Sequence, residues 1–495
     1  MVSLNTSLYT GFSGVQSAQT GLNITGNNIA NVNTEGYSRQ SVVTTERGIM
    51  RSGNIVQGIG STVTHVMAAR EMLADEQLTR QMGRHAYQEE LAAGLNELEA
   101  LLAETDDTGI GHALSEFFGS MEAATLRPAD IGTRQELLAQ GDALAAEIRS
   151  RDGDLYDQQA QLNDDLTDLT NEVNEITERI ENINRKISSQ VRPAQDLIDQ
   201  RFAEINRLSE LVSVETFTLT NNQLQVNLAG ANVILVGREI RNTLGTQPNA
   251  INNSISDITI NNKGNTNVIT SGVNGGKIGA KLLLRDTDIQ GVRDKLDELA
   301  AGLIIQVNTL HQGGTDLNGN TNLRFFDPDN ASVLGATAVG VVDPARYRGL
   351  AGGIRISSDL ESSPGVVDPT RIALSSTGSV GDNGVAIAMA NLRNSSSLID
   401  ADRDGDPSND GSETLEKFYN TTLSGTGRKV RSANDSLDTQ IALLEQAEVR
   451  REQISGVSLD EEAVQLSQFQ RAFEASSRYL NIINQLTADI INKLG

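Results

Sequence analysis

Four aspartates in the last fifth of the chain carry the spacing of a cation site. Asp400, Asp402, Asp404, Gly405 and Asp406 spell D-x-D-x-D-G-D. Alternate carboxylates of this kind converge on a hard cation, and the glycine permits the sharp turn of a calcium loop. The twelfth position is Gly411 and not a bidentate glutamate, although Asp410 and Glu413 lie nearby. The stretch therefore reads either as a weak calcium loop or as a solvated acidic loop, and no other cofactor is expected. The four histidines, His65, His85, His112 and His311, are scattered. None sits at H-x-x-x-H spacing, and neither HExxH nor GxSxG occurs. Each is expected on the surface or at a helix cap. The run from Gly425 through Gly427 to Lys429 lacks the GxxxxGK[ST] pattern and the preceding strand of a phosphate loop, so it reads as a break between helices. With no cysteine, disulfides, thiolate catalysis and zinc–sulfur sites are excluded. The chain is not read as an enzyme.

Composition narrows the partners. Sixty-five acidic against forty basic residues leave a formal charge of −25, which argues against nucleic acid and anionic membrane surfaces. No run of 18 apolar residues occurs, so no membrane insertion is expected. The opening MVSLNTSLYTGFSGV has neither a basic nor an apolar leader region and is not a Sec-type signal. The chain is then either cytoplasmic or exported by a route that uses no such signal. An apolar content of 38% with 3% aromatics suits long helices and a modest β region.

The elements follow from periodicity. From Ser458 to Gly495, Leu466, Phe469, Phe473, Leu480, Ile483, Ile490 and Leu494 form a heptad seam, with Ser458 and Glu461 as a capping box. Such a helix with one apolar stripe needs a partner. Leu4, Leu8, Val15, Leu22, Ile29 and Val32 repeat the rhythm at the other end, with Gly11, Ala18 and Thr25 in the weaker slots. The termini are therefore expected to zip together with the rest of the chain looped out between them. Residues 37–66 read as extended chain or short hairpins, Ala68 to Ala103 as helix, and Ala113 to Leu126 as a short helix. A long helix after Pro128 carries Leu162, Leu166, Leu169, Val173, Ile176, Ile180, Ile183 and Ile187, an unbroken heptad that reads as coiled coil or bundle core. At Val214 the period changes to two, and strands are expected to about Gly275, with Asn221-Asn222 a hairpin tip. Helix returns from Lys277 to His311, around Val385 to Leu398, and from Glu413 to Ser455.

The expected fold is mainly α with a β insertion: terminal helices forming a coiled coil, a long α-helical rod domain and a β-rich outer domain from the middle of the sequence. The expected boundaries are 1–38 with 456–495 for the terminal domain. The rod takes 39–212 with 276–330 and 385–455, the outer β domain 213–275, and 331–384 is a short irregular, β-leaning insertion.

These residues carry a resemblance. Gly21 to Gln40, GLNITGNNIANVNTEGYSRQ, is similar to the signature shared by rod, hook and junction proteins of the bacterial flagellar axis, with Glu35 where the family usually has proline. Ser455 to Leu480 is similar to its C-terminal partner signature. Ala113 to Asp130, Gln195 to Arg201, Gly275 to Asp288 and Val307 to Phe326 resemble the hook-associated protein 1 family, the hook–filament junction proteins. The resemblance implies a structural role: export unfolded through the flagellar type III apparatus, then assembly outside the cell at the junction. Implied partners are copies of itself in a ring, the hook protein, the second junction protein (hook-associated protein 3) and a cytoplasmic export chaperone on the C-terminal helix. The implied assembly residues are Leu8, Val15, Leu22, Ile29, Phe469, Phe473, Leu480, Ile483 and Ile490. A hook or distal-rod protein, and a secreted calcium-binding adhesin, are the other readings.

Overall fold

The computed structural model describes every residue except 1, 35, 53–54, 106, 191–193, 220–221, 239, 250–254, 329–346, 397–412 and 495. Asp400, Asp402, Asp404 and Asp406 lie outside the described residues. The helices are α1 (Val2–Ala30), α2 (Met72–Leu101), α3 (Ile110–Leu126), α4 (Ile131–Ser188), α5 (Gln195–Leu211), α6 (Gly276–Leu283) and α7 (Gln290–Gln312). After them come α8 (Leu350–Gly353), α9 (Gly384–Asn391), α10 (Leu415–Ser455) and α11 (Leu459–Leu494). A π-helical segment, Leu284–Ile289, joins α6 to α7.

The spine of the rod is α4, 58 residues without an internal proline, or about 87 Å at ~1.5 Å per residue. Asp130 caps its start on the Thr133 amide, and Arg185 and Lys186 in its last turn complement the negative end of the helix dipole. The helices α2 and α10 pack antiparallel to one another: Glu99 lies at Gly427, Asn96 bonds Asn434, and Arg450 and Arg451 reach Gln77 and Asp75. The 425–429 run is thus no break. It sits inside α10, where a Cβ on Gly427 would lie 3.2 Å from Glu99 Oε1.

The Leu162–Ile187 stripe is buried except for Leu169, which is half-buried. Of the two readings, it packs as bundle core. Leu166, Val173, Ile176 and Ile180 share a core with α5, α6 and the sheets. Strands β1 (Gln40–Glu46) and β4 (Ser61–Ala68) pair antiparallel, as do β2 (Ile49–Ser52) and β3 (Ile55–Gly58) between them. Two three-stranded antiparallel sheets follow: β5 (Val214–Thr218), β6 (Leu224–Leu228) and β7 (Val233–Val236), then β8 (Thr243–Pro248), β9 (Ser256–Asn262) and β10 (Asn265–Val268). Asparagines on α4 clamp them. Asn174 exchanges two hydrogen bonds with the Leu244 backbone, both 2.8 Å, and Asn184 does the same with Leu224 at 2.7 and 3.2 Å. Each clamp satisfies a strand's amide and carbonyl on the helix surface, so a sheet sits on a helix without orphaned backbone groups.

At the far end of the rod, Phe117, Phe118, Phe325 and Phe326 pack with centroids 4.9–5.8 Å apart. Gly141 of α4 makes room, since a Cβ there would lie 2.9 Å from the Phe325 ring. Two side chains of α7 hold the backbone of this segment. Asn308 Oδ1 accepts the Phe325 and Phe326 amides, both at 2.9 Å, while its Nδ2 donates to the Phe326 carbonyl. His311 Nδ1 donates to the Leu323 carbonyl at 2.6 Å, and Nε2 accepts the Ala373 amide at 2.8 Å. Contrary to the surface reading of this histidine, its ring is fully buried.

Burial pushes the His311 pKa down to about 4, against the opposing hydrogen bond to Leu323 and with help from Arg134. The unfolded chain therefore takes up the proton first, below its ordinary pKa of about 6.5. The contribution is complete above that value and is lost as pH falls toward 4, on the order of 3 kcal/mol. Asp297, raised by burial to about 7 while accepting the Gly349 and Ala351 amides, titrates with the opposite sign. Comparing urea unfolding of wild type and His311→Gln isolates the first effect. The stability difference should shrink by about 3 kcal/mol between pH 7 and pH 4, and a constant difference would refute the neutral buried ring.

Candidate assembly interface

The terminal helices pack against each other antiparallel: Gly11 lies on Leu480, Gly14 on Ser476, Gly21 on Phe469, and Asn28 on Glu462. On α11 the seam is the apolar set of the sequence. Ile483 is buried at 8% exposure, and Phe469, Phe473 and Leu480 are half-buried. On α1 one row of the expected seam is buried and the other is displaced. Gly11, Ala18 and Thr25 are buried, together with Gly21 and Asn28, whereas Leu8, Val15, Leu22 and Ile29 flank this line half-buried. The true second row is 14, 21, 28 and not 15, 22, 29, a turn of one residue, or about 100°. Small residues win the centre because the helix axes come too close for a side chain. A Cβ on Gly21 would lie 2.5 Å from the Phe469 ring, and one on Gly14 2.6 Å from Ser476 Oγ. The β1–β4 hairpin covers another flank of α1, where the Ser61 amide donates to Ser13 Oγ at 3.3 Å and Ser17 bonds Ser61 at 3.2 Å.

Large apolar side chains of the pair also remain in solvent. Phe12 remains 55% exposed on α1, and Ile482, Leu486, Ile490 and Ile491 are 43–65% exposed on α11. Ile490, placed in the seam by periodicity, lies level with the very start of α1 and is 43% exposed.

Where the pair meets the rod, the polar residues of the two terminal signatures face each other. The buried Asn28 donates to Glu462 Oε2 at 3.0 Å and to the Gln40 carbonyl at 2.9 Å, and its Oδ1 accepts from Tyr37 and from the Gln40 amide. Arg39 spans Glu462 and Glu461, each at 2.7 Å, and its amide donates to the Ser455 carbonyl. The Glu461 carboxylate thus faces Arg39 and not Ser458, so the expected capping box gives way to a tertiary contact. Behind them Arg70 pairs with Asp75 and Asp199, and the Arg70 and Arg451 guanidinium groups lie over Phe202 at 4.6 and 5.5 Å. Burial raises the Tyr37 hydroxyl to about 12, with Asp196, Asp199 and Glu462 adding to it. Burial also raises Asp199, against the pull of Arg70. Among the described residues no group of three or more His, Asp or Glu could hold a metal ion, and no helix is long and apolar enough to cross a membrane.

Comparison with known proteins joins these parts. Residues 95–326 match the model of the flagellar hook-associated protein FlgK helical domain. Residues 8–37 match that of flagella basal body rod proteins, and 452–493 that of the flagellar basal body rod FlgEFG protein C-terminal region. Flagellar hook-associated protein 1 of Bacillus subtilis is 26% identical, with 96% of each chain covered. The proteins of that name from Escherichia coli and Salmonella typhimurium are each 23% identical, over 97% of this chain and 98% of theirs. The solved flagellar hook junction protein FlgK from Burkholderia pseudomallei superposes with a TM-score of 0.64 at 16% identity, covering 77% of this chain and 100% of that one; this likeness speaks to the fold.

Proposed function

The chain belongs to the flagellar hook-associated protein 1 family, structural and non-enzymatic components of the extracellular flagellum at the hook–filament junction, and from that premise we propose how it assembles there. The terminal pair is the inner assembly element, packing laterally and axially against copies of itself in a ring. The hook protein lies on one side of that ring and the second junction protein, hook-associated protein 3, on the other. The subunit travels unfolded through the type III export apparatus, with a cytoplasmic chaperone on α11 before export. One observation carries this reading. The pair is closed on its glycine seam yet keeps Phe12, Ile482, Leu486, Ile490 and Ile491 in solvent, an apolar surface on an otherwise strongly acidic chain that asks for neighbours.

The test is a charge in the seam. Phe473→Asp should abolish incorporation while the amides of α4 stay protected from exchange, because a carboxylate cannot be buried there without a partner. Cells carrying it should keep intact hooks and shed filament monomer into the medium. Normal filaments would contradict the proposal.

A further inference from the structure

We propose that Asn28 and Glu462, held by Arg39, select which heptad of α1 faces which heptad of α11. The inference rests on the terminal pair as the assembly element. Both seams repeat every seven residues, so apolar packing chooses the faces but not the register. Sliding α1 along α11 by one heptad, about 10 Å at ~1.5 Å per residue, would set Gly14 against Ile483 and Gly21 against Ser476. That arrangement again places glycines opposite seam residues, the second with less crowding than Gly21 meets on Phe469. Greasy contacts therefore discriminate weakly between the two.

The buried polar contact discriminates strongly. In the observed register every hydrogen-bonding atom of the Asn28 side chain is used: Nδ2 on Glu462 and the Gln40 carbonyl, Oδ1 on Tyr37 and the Gln40 amide. Glu462, only 2% exposed, has Arg39 at 2.7 Å and Asn28 at 3.0 Å. In the slipped register Asn28 would face Phe469, and Glu462 would lose Asn28. A single buried polar residue fixes register in helical pairs by this cost of mismatch. Seven residues of sliding also need slack, and the connection from Asn31 to Arg39 provides length for it, whereas Gly456–Ser458 between α10 and α11 does not. Arg39 closes that slack by pinning its own backbone to Ser455 and its side chain to Glu461 and Glu462.

The absence of native cysteine makes the test direct. A Cβ on Gly14 would stand 3.2 Å from Ser476 Cβ, close to the ~3.5–4.5 Å of a disulfide. The purified full chain is oxidised as Gly14→Cys/Ser476→Cys, which reports the observed register, and as Gly14→Cys/Ile483→Cys, which reports the slip. The first should cross-link and the second should not. Adding Asn28→Leu with Glu462→Leu should raise the slipped product about tenfold, the measure of a register preference lost. An unchanged cross-linking pattern overturns the proposal. So does loss of both products with the α4 amides still protected, since the contact would then supply pairing strength and not choice. These readouts concern the soluble monomer, so they stand or fall separately from incorporation at the junction.

Discussion

Asn308→Leu should destabilise the rod by about 3 kcal/mol or more, seen as a large drop in the urea midpoint with unchanged denaturant slope. The substitution keeps the branching and heavy-atom count of the side chain and removes three hydrogen bonds at once. The Phe325 and Phe326 amides lose their acceptor and the Phe326 carbonyl loses its donor, all in a fully buried setting. Each backbone group left unpaired there costs about 1–3 kcal/mol. The effect should spread to the aromatic cluster, because Asn308 aligns the chain that carries Phe325 and Phe326 onto Phe117. Thr309→Ala, one position along on the exposed side of α7, should stay within about 0.5 kcal/mol. A cost below about 1 kcal/mol for Asn308→Leu would show that the Asn308 hydrogen bonds do not hold the segment.

Gly21→Leu should open the terminal pair while leaving the rod folded. The new Cβ would lie 2.5 Å from two atoms of the Phe469 ring, and overpacking of this kind costs about 1–3 kcal/mol. Helix propensity works the other way, favouring leucine over glycine by up to about 1 kcal/mol. The sign of the measured effect therefore decides between a tight seam and an ordinary exposed helix. Trypsin should gain access at Arg471 and Arg478 in α11, and Phe469→Ala added to Gly21→Leu should restore resistance by giving back the space. If Gly21→Leu made the pair more resistant to trypsin, the close approach of the two helices would be wrong.

Individual residues separate what periodicity announces from what it hides. The α11 stripe was legible because large apolar side chains at three-and-four spacing have no other use on a solvent-exposed helix. The α1 face was misjudged by one residue for the same reason: hydrophobic periodicity weights size, and here the interface is built on smallness. The Leu162–Ile187 stripe announced burial correctly but not its cover, since a helix and a sheet both present apolar side chains to it. The signal for the sheets was present in Asn174 and Asn184, whose amides match one strand residue each; they read as ordinary polar flank. His311 gave no signal, because a buried histidine is made by two backbone groups distant in sequence, at Leu323 and Ala373.

The sequence by itself determined the order of helices and strands, the α11 seam and the kinship of its two signature segments, because periodicity and turn chemistry act over a few residues. Only the tertiary structure decided that those signatures are two halves of one polar contact, that glycines line the α1 seam, and that sheets cover α4. These outcomes depend on how closely two distant backbones approach and on which buried polar atoms then find partners. Neither quantity is a property of a local stretch of chain.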